Sequence, residues 1–471
     1  MANELWRLPA HQLASMIARR EVSSRTVVEA HLARIAAVNP RTNAVTVVLA
    51  ESALAAADIA DAQVVAAQGA GAQAAIGPLH GVPFTIKENI DAVGSATTQG
   101  VPALAGAMPS EDAPVVRRMK AAGAIAIART NMPEMGLRLS TDNPLRGRTL
   151  NPWNPLLTAG GSSGGDGAAL ATGMTPFGLG NDIGGSLRNP AYCCGIVSLK
   201  PTAGRIPHAS SLPPRDAGMA PQLMAVQGPM ARTVEDLRIG LRVLSGRDIR
   251  DPDSVDAPID GPAMDVRRAA LITQVPGKPL PESTVAAIRA SGKVLAAAGW
   301  TVEEVEAPEV ERVHEIWGRV LAVDFEVMVP GMRNIIRPAL SEILTQLYKR
   351  FDPAAMPNLA VHAERNRLVR LWSAFFATYP VLIGPIWCEL PWPADDDLDP
   401  RTGLDLQLST MRFVTPANVL GLPAVALTTG MTDGLPTGVQ IYADRWREDL
   451  CLAAAGIIEA GSTAVTPIDP R

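Results

Sequence analysis

One stretch limits the fold more than any other: "EDAPVVRRMKAAGAIAIART", Glu111 to Thr130. Its first part has helical periodicity, with Val115, Val116 and Met119 on one face, a cap signal at Asp112 and a stop at Gly123. Its second part, Ala124 to Ala128, is a short unbroken apolar run, the pattern of a strand buried on both faces. Such a strand needs a covering layer on each side, and a helix leading straight into it supplies one. "GPLHGVPFTIKENIDAVG", Gly77 to Gly94, adds short apolar strands between Gly/Pro turns. Further on, "YPVLIGPIW" and "GLPAVALTTGMTDGLPTGVQIYA" read as strands, and a last helix is expected near Leu450 to Ala460. Alternation of this kind predicts an α/β fold, a sheet covered by helices.

The remaining segments read as scaffold. Leu13, Met16 and Ile17 share a helical face, and "TVVEAHLARIAAV" opens with a Thr26-x-x-Glu29 capping box and carries Val28, Leu32 and Ile35 as a stripe. An Ala-rich helix is expected from Ser52, fraying toward Ala75 into a Gly/Ala/Gln linker. Residues 302–378 read as mostly helical, with Leu368, Leu371, Trp372, Phe375 and Phe376 on one face, a helical insertion beside the sheet.

Charge and composition exclude several functions. A formal net charge of −5 gives no basic stripe for nucleic acid. No basic-then-apolar leader opens the chain and no uninterrupted run of about 18 apolar residues follows, so neither export nor a membrane span is expected. The four cysteines include the adjacent pair Cys193 and Cys194, which lacks zinc-ligand spacing, and the six histidines are dispersed. A reduced, cytoplasmic setting without a metal site is the expectation.

The chemistry concentrates in "TAGGSSGGDGAAL", Thr158 to Leu170, and "GLGNDIGGSLRNPAYCCG", Gly178 to Gly195. A phosphate loop would need G-x-x-x-x-G-K-[ST] and a dinucleotide site G-x-G-x-x-G, and neither is present. Gly160 to Gly164 matches the G-x-S-x-G of a lipase elbow, but no histidine downstream sits in an informative motif. A third reading joins both stretches. The glycines beside Ser186 let the amides of Ile183, Gly184 and Gly185 point into one small space, as a tetrahedral oxyanion requires. Ser162 then bridges Ser186 to a base, for which Lys87 in "FTIKENID" is the candidate. The competing role for Lys87 is a surface pair with Glu88 or Asp91, and spacing alone leaves both open.

Four segments together, "ARREVSSRTVVEAHLARIAAVNPRTNA", "GPLHGVPFTIKENID", the block from Gly160 to Pro207 and "TPANVLGLPAVALTTGMTDGLPTGVQI", resemble the amidase signature hydrolases over most of the chain. The resemblance implies one domain, 1–471, built on a large mixed, twisted sheet sandwiched by helices. It places a signature core at 70–205 and the helical insertion, 302–378, near the substrate entrance. It implies Ser186 as acyl-accepting nucleophile, Ser162, after a cis peptide, as the bridging serine, Lys87 as general base, and Ile183, Gly184 and Gly185 as the oxyanion hole. Asp182 and Arg188 would support the loop by pairing and capping, and Ser163 would bond nearby backbone. No metal, nucleotide or other cofactor is implied.

Glu88, Asp166, Asn181 and Ser198 depart from the family's usual Asp, Ser, Thr and Gly, which touches loop detail and spares the triad. The tRNA-dependent amidotransferase glutaminase branch usually continues with an "SRYGL"-like sequence, where this chain has "GRIPHASSLPPRDAG". A stand-alone hydrolase of a small amide is therefore expected, with carbamate or ester hydrolysis by the same triad as the alternative, and the resemblance is compatible with a homodimer. Substrate choice is expected from Met135 to Pro144, His208 to Val226, the loop after Trp387, and Trp317, Phe325 and Met328. A nucleotide-binding protein or a turnover-dead binding module fits less well, since all three triad residues are present.

Overall fold

The structure, a computed structural model, describes residues 2–69, 76–216, 218–264 and 266–471. The helix-to-strand unit folds as its pattern requires, with helix Pro114–Ala121 leading into strand Ile125–Thr130. Val115, Val116 and Met119 are fully buried, and Gly123 takes a positive φ of 85° in the turn. Asp112 is not the cap. Ala113 holds that position and Pro114 opens the helix, its fixed φ suiting the first turn and its ring nitrogen having no hydrogen to cap. The Asp112 carboxylate accepts instead from the Val93 amide at 2.8 Å and from Lys120 Nζ at 2.7 Å.

The capping box at Thr26 also shifts. Helix Ser24–Val38 starts a turn earlier, capped by Ser23 Oγ, which accepts from the Thr26 amide at 3.0 Å. Glu29 lies within that helix and pairs with Arg25. The Ala-rich helix runs Ala50–Gly69, and the linker expected after it lies largely outside the described residues. Leu13 and Ile17 are buried in helix Ala10–Ala18, with Met16 half-buried.

The strands, in chain order, are β1 Val45–Val48, β2 Pro83–Lys87, β3 Ile125–Thr130, β4 Asp142–Asn143, β5 Gly147–Arg148, β6 Phe177–Asp182, β7 Val197–Lys200, β8 Val226–Ala231, β9 Arg268–Leu271, β10 Thr301–Glu304, β11 Val381–Gly384, β12 Ala424–Thr432 and β13 Leu435–Tyr442. Eleven form one sheet, ordered β1-β3-β2-β6-β8-β7-β12-β13-β11-β9-β10, while β4 and β5 pair separately. The sheet is mixed: β3, β2 and β6 run parallel, as do β11, β9 and β10, and an antiparallel middle joins these two groups. This is an α/β fold with a large mixed sheet, as the sequence resemblance implied. Every residue of β2, β7, β8 and β11 is buried, as in strands covered on both faces, and β11, VLIG, accordingly reads as an apolar run without alternation.

The helical insertion begins later than the periodicity suggested. Residues 302–304 belong to β10, an edge strand parallel to β9, and the helices run Val310–Met332, Pro338–Phe351 and Asn358–Thr378. Leu368, Trp372 and Phe376 are buried and Leu371 and Phe375 half-buried, so the five residues do form the inward face. The first two helices approach closely at Gly318, where any Cβ would overlap the Phe351 ring.

Candidate active site

In the parallel group β3-β2-β6, side chains at the carboxyl ends of strands face a common crevice, the usual place for chemistry on such a sheet. Lys87 is the last residue of β2, and the turn after β6 carries Ser186. Lys87 is fully buried. Its Nζ donates to Ser162 Oγ at 2.7 Å and to Asn181 Oδ1 at 2.7 Å. Burial pushes the lysine down to about 7, against the opposing pull of Asp166 and Asp182, so near neutrality much of it is uncharged. The surface pairing that spacing left open is not formed. Glu88 bonds Thr46, Thr98 and Arg146, and Asp91 bonds Thr97, Ser210 and Ser211.

Ser162 follows a cis peptide from Gly161 and stands just before helix Gly164–Ala171. The glycines around it are spatial necessities: a Cβ at Gly160, where φ is 78°, would lie 2.7 Å from Pro190 Cα. A main-chain bond from the Ser163 amide to the Ser186 carbonyl, 3.2 Å, ties the two serine segments together. The Ser163 hydroxyl, expected to bond backbone, is buried with no partner among the described residues. The link from Ser163 to the Ser186 segment is made by its amide.

Asp182 and Arg188 form a fully buried ion pair at 3.0 Å. Burial would raise the Asp182 carboxyl, and the Arg188 guanidinium more than reverses this, holding it well below the ordinary carboxylate range. The carboxylate also accepts the amides of Gly185 at 2.7 Å and Leu187 at 3.1 Å. Arg188 reaches across to Val414 O, Gln440 Oε1 and Asn418 Oδ1. The Gly185 N–H is therefore turned toward Asp182 and does not join a three-amide nest. The amides of Ile183 and Gly184 have no acceptor among the described residues.

Several contributors were invisible as function in the sequence. Asn181, noticeable only as a departure from the family's threonine, accepts from the lysine and donates to Asn89 at 2.8 Å. Asp166, another departure, is buried beneath the site and bonded by Thr85 at 2.9 Å and Thr130 at 2.7 Å. Its carboxyl is raised by burial. Asn189 Nδ2 donates to Gly161 O at 3.0 Å, and Asn189 is itself held by Trp387 Nε1 at 2.8 Å. No local spacing links these residues; only the fold brings them together.

Of the expected substrate segments, Met135–Pro144 does reach the site, since a Cβ at Gly136 would lie 3.3 Å from Ser162 Oγ. Trp317 reaches the Ser186 loop, Phe325 is core, and Met328 is exposed. Among the described residues no cluster of three or more His, Cys, Asp or Glu side chains could hold a metal ion, and no helix is long and apolar enough to cross a membrane. A groove of about 790 Å³ on the N-terminal helices, lined by Leu5, Ile17, Val22 and Val64, brings no lysine to a hydroxyl and lies apart from this chemistry.

The Amidase family matches residues 26–452. Indoleacetamide hydrolase of Bradyrhizobium diazoefficiens is 40% identical over 459 residues, 97% of this chain and 86% of that protein. The 6-aminohexanoate-cyclic-dimer hydrolase of Paenarthrobacter ureafaciens is 32% identical, covering 97% of this chain and 95% of that one. A solved structure of 6-aminohexanoate cyclic dimer hydrolase complexed with substrate superposes with a TM-score of 0.82 at 29% identity, over 99% of this chain and 100% of that one. The extent of these matches, together with the eleven-stranded sheet, makes the chain a member of the amidase signature family and thereby a hydrolase of carbon–nitrogen bonds.

Proposed function

We propose that the protein hydrolyses a small carboxamide bearing an aryl or aliphatic group through an acyl-enzyme on Ser186. The observation that carries this reading is the buried Lys87 amine, 2.7 Å from Ser162 Oγ and depressed toward neutrality. A serine hydroxyl attacks only as its proton leaves, and a lysine accepts that proton only when uncharged. With the amine neutral, the Ser162 O–H donates to its lone pair. The Ser186 proton then passes to Ser162 as the Ser162 proton passes to Lys87. Ser186 Oγ bonds to the carbonyl carbon, and the Ile183 and Gly184 amides receive the oxyanion. As the C–N bond breaks, the proton returns from Lys87 through Ser162 to the departing amine. Water, activated by the same relay, then adds to the acyl carbon and releases the acid and Ser186.

An arylacetamide is the preferred member of this class, on the strength of the 40% identity to an indoleacetamide hydrolase. Carbamates and esters share the tetrahedral intermediate and form the comparison arm. A fluorophosphonate probe tests the nucleophile: Ser186→Ala is expected to abolish labelling and turnover. Labelling that survives in Ser186→Ala and disappears in Ser162→Ala would reverse the two roles. Release of ammonia or amine from a panel of arylacetamides, aliphatic amides, glutamine, carbamates and esters tests the substrate class. Glutamine turnover above all the other amides would move the protein to the amidotransferase branch.

A further inference from the structure

We infer that Trp317, contributed by the helical insertion, is a positioning residue that aims the Gly184 amide at the oxyanion. This inference rests on the acyl-enzyme reading above and assigns to the insertion a part in it. In a planar trans peptide the carbonyl of one residue and the amide of the next point in opposite directions, so whatever holds the oxygen directs the hydrogen. The Ile183–Gly184 bond is not among the cis peptides. Trp317 Nε1 donates to Ile183 O at 3.1 Å, and that carbonyl has no other donor among the described residues. The Gly184 N–H is thereby sent to the opposite side, and it has no acceptor of its own among the described residues.

The neighbouring groups of the loop are fixed differently. Gly184 O accepts from Asn189 Nδ2 at 3.3 Å, while the Gly185 amide is committed to Asp182. These bonds come from the signature block itself. The Ile183–Gly184 plane, by contrast, is set from outside it, by the Trp317 indole. The indole is a rigid agent for this task. It is 3% exposed, stacks on His314 with centroids 5.7 Å apart and planes 10° apart, and His314 is anchored to Thr415 Oγ1 at 2.9 Å. Gly184 permits the approach, since a Cβ there would lie 3.0 Å from Trp317 Cζ2.

An amide that is already aimed costs no reorganisation when charge develops, which raises kcat and leaves ground-state affinity alone. Two replacements isolate the indole N–H. Trp317→Phe removes it with part of the ring, and 3-benzothienylalanine incorporated at position 317 removes it while keeping the bicyclic shape. Both are expected to lower kcat about tenfold with KM within about twofold, less than the loss of a direct oxyanion donor. Affinity for a boronic acid that adds to the nucleophile as a tetrahedral mimic should fall by the same factor as kcat/KM. Unchanged kcat and boronate affinity in the benzothienyl protein would overturn the inference, and so would a loss confined to KM. Ser186→Ala, assayed alongside, separates the two levels: if it stays active the acyl-enzyme reading fails, whatever position 317 does.

Discussion

In the proposed relay Lys87 must be uncharged to accept a proton, which makes pH a direct readout of its surroundings. With Lys87 at about 7, kcat/KM is expected to fall on the acid side as pH drops through that value, since protonation removes the base. Asn181→Asp would place a carboxylate where a neutral amide oxygen now accepts from Nζ. That charge favours the protonated lysine, and the acid limb should move up by about one unit or more. The same depression affects stability. Between about 7 and 10.5 the unfolded chain holds a proton that the folded chain lacks, so stability contributed by this group rises with pH across that window. Lys87→Met is accordingly expected to unfold later than the native protein at pH 7, by on the order of a few kcal/mol, with the gap closing toward pH 10. Thermal or urea unfolding at the two pH values checks it. The apolar strand in "FTIKENID" hints at a desolvated lysine, but its degree of burial is set by β3 and β6 lying on either side of β2, which the local sequence does not encode.

At the scale of elements, the buried Asp182–Arg188 pair determines whether the turn after β6 keeps its shape. Arg188→Met would strand a carboxylate in the interior, an arrangement that costs about 3–5 kcal/mol when one partner of a buried pair is lost. Chemical denaturation should report that loss, and turnover should fall with it because the carboxylate organises the Gly185 and Leu187 amides. In the insertion, Gly318→Leu should destabilise by about 1–3 kcal/mol, since the side chain meets the Phe351 ring at the helix crossing. The elements themselves were largely legible. Helical periodicity and unbroken apolar runs located helix Pro114–Ala121, β3, β11, and the β12–β13 hairpin. What failed was punctuation: Asp112 and Thr26 both satisfy cap rules, yet the cap falls to Ala113, ahead of Pro114, in the first helix and to Ser23 in the second. The candidate triad was legible through its resemblance to a family. Asn181, Asn189 and the direction of the Gly185 amide were not, since nothing short-range encodes which way a peptide plane turns.

Across the whole molecule, one continuous sheet joins the parallel group bearing the candidate site to the parallel group β11-β9-β10. The antiparallel strands between them, β8 and β7 throughout and β12 over Ala424 to Leu427 with the facing part of β13, are buried, so among the described residues the hydrogen-bonded ladder runs through buried strands from one half to the other. Calorimetry should therefore show a single heat-absorption peak for the full chain. Two resolved peaks would mean that the halves fold as independent units.

The guanidinium of Arg188 gives this connectivity an order in time. Its acceptors Val414 O, Asn418 Oδ1 and Gln440 Oε1 lie 226, 230 and 252 positions further along the chain. A ribosome delivers the glycine-serine block long before it delivers them. Until then the partners within reach are the Asp182–Arg188 pair itself and the Gly185 and Leu187 amides on the carboxylate, and the far anchorage of the loop is still to come. The loop that carries Ser186 is thus translated at least 226 residues before the acceptors that hold Arg188.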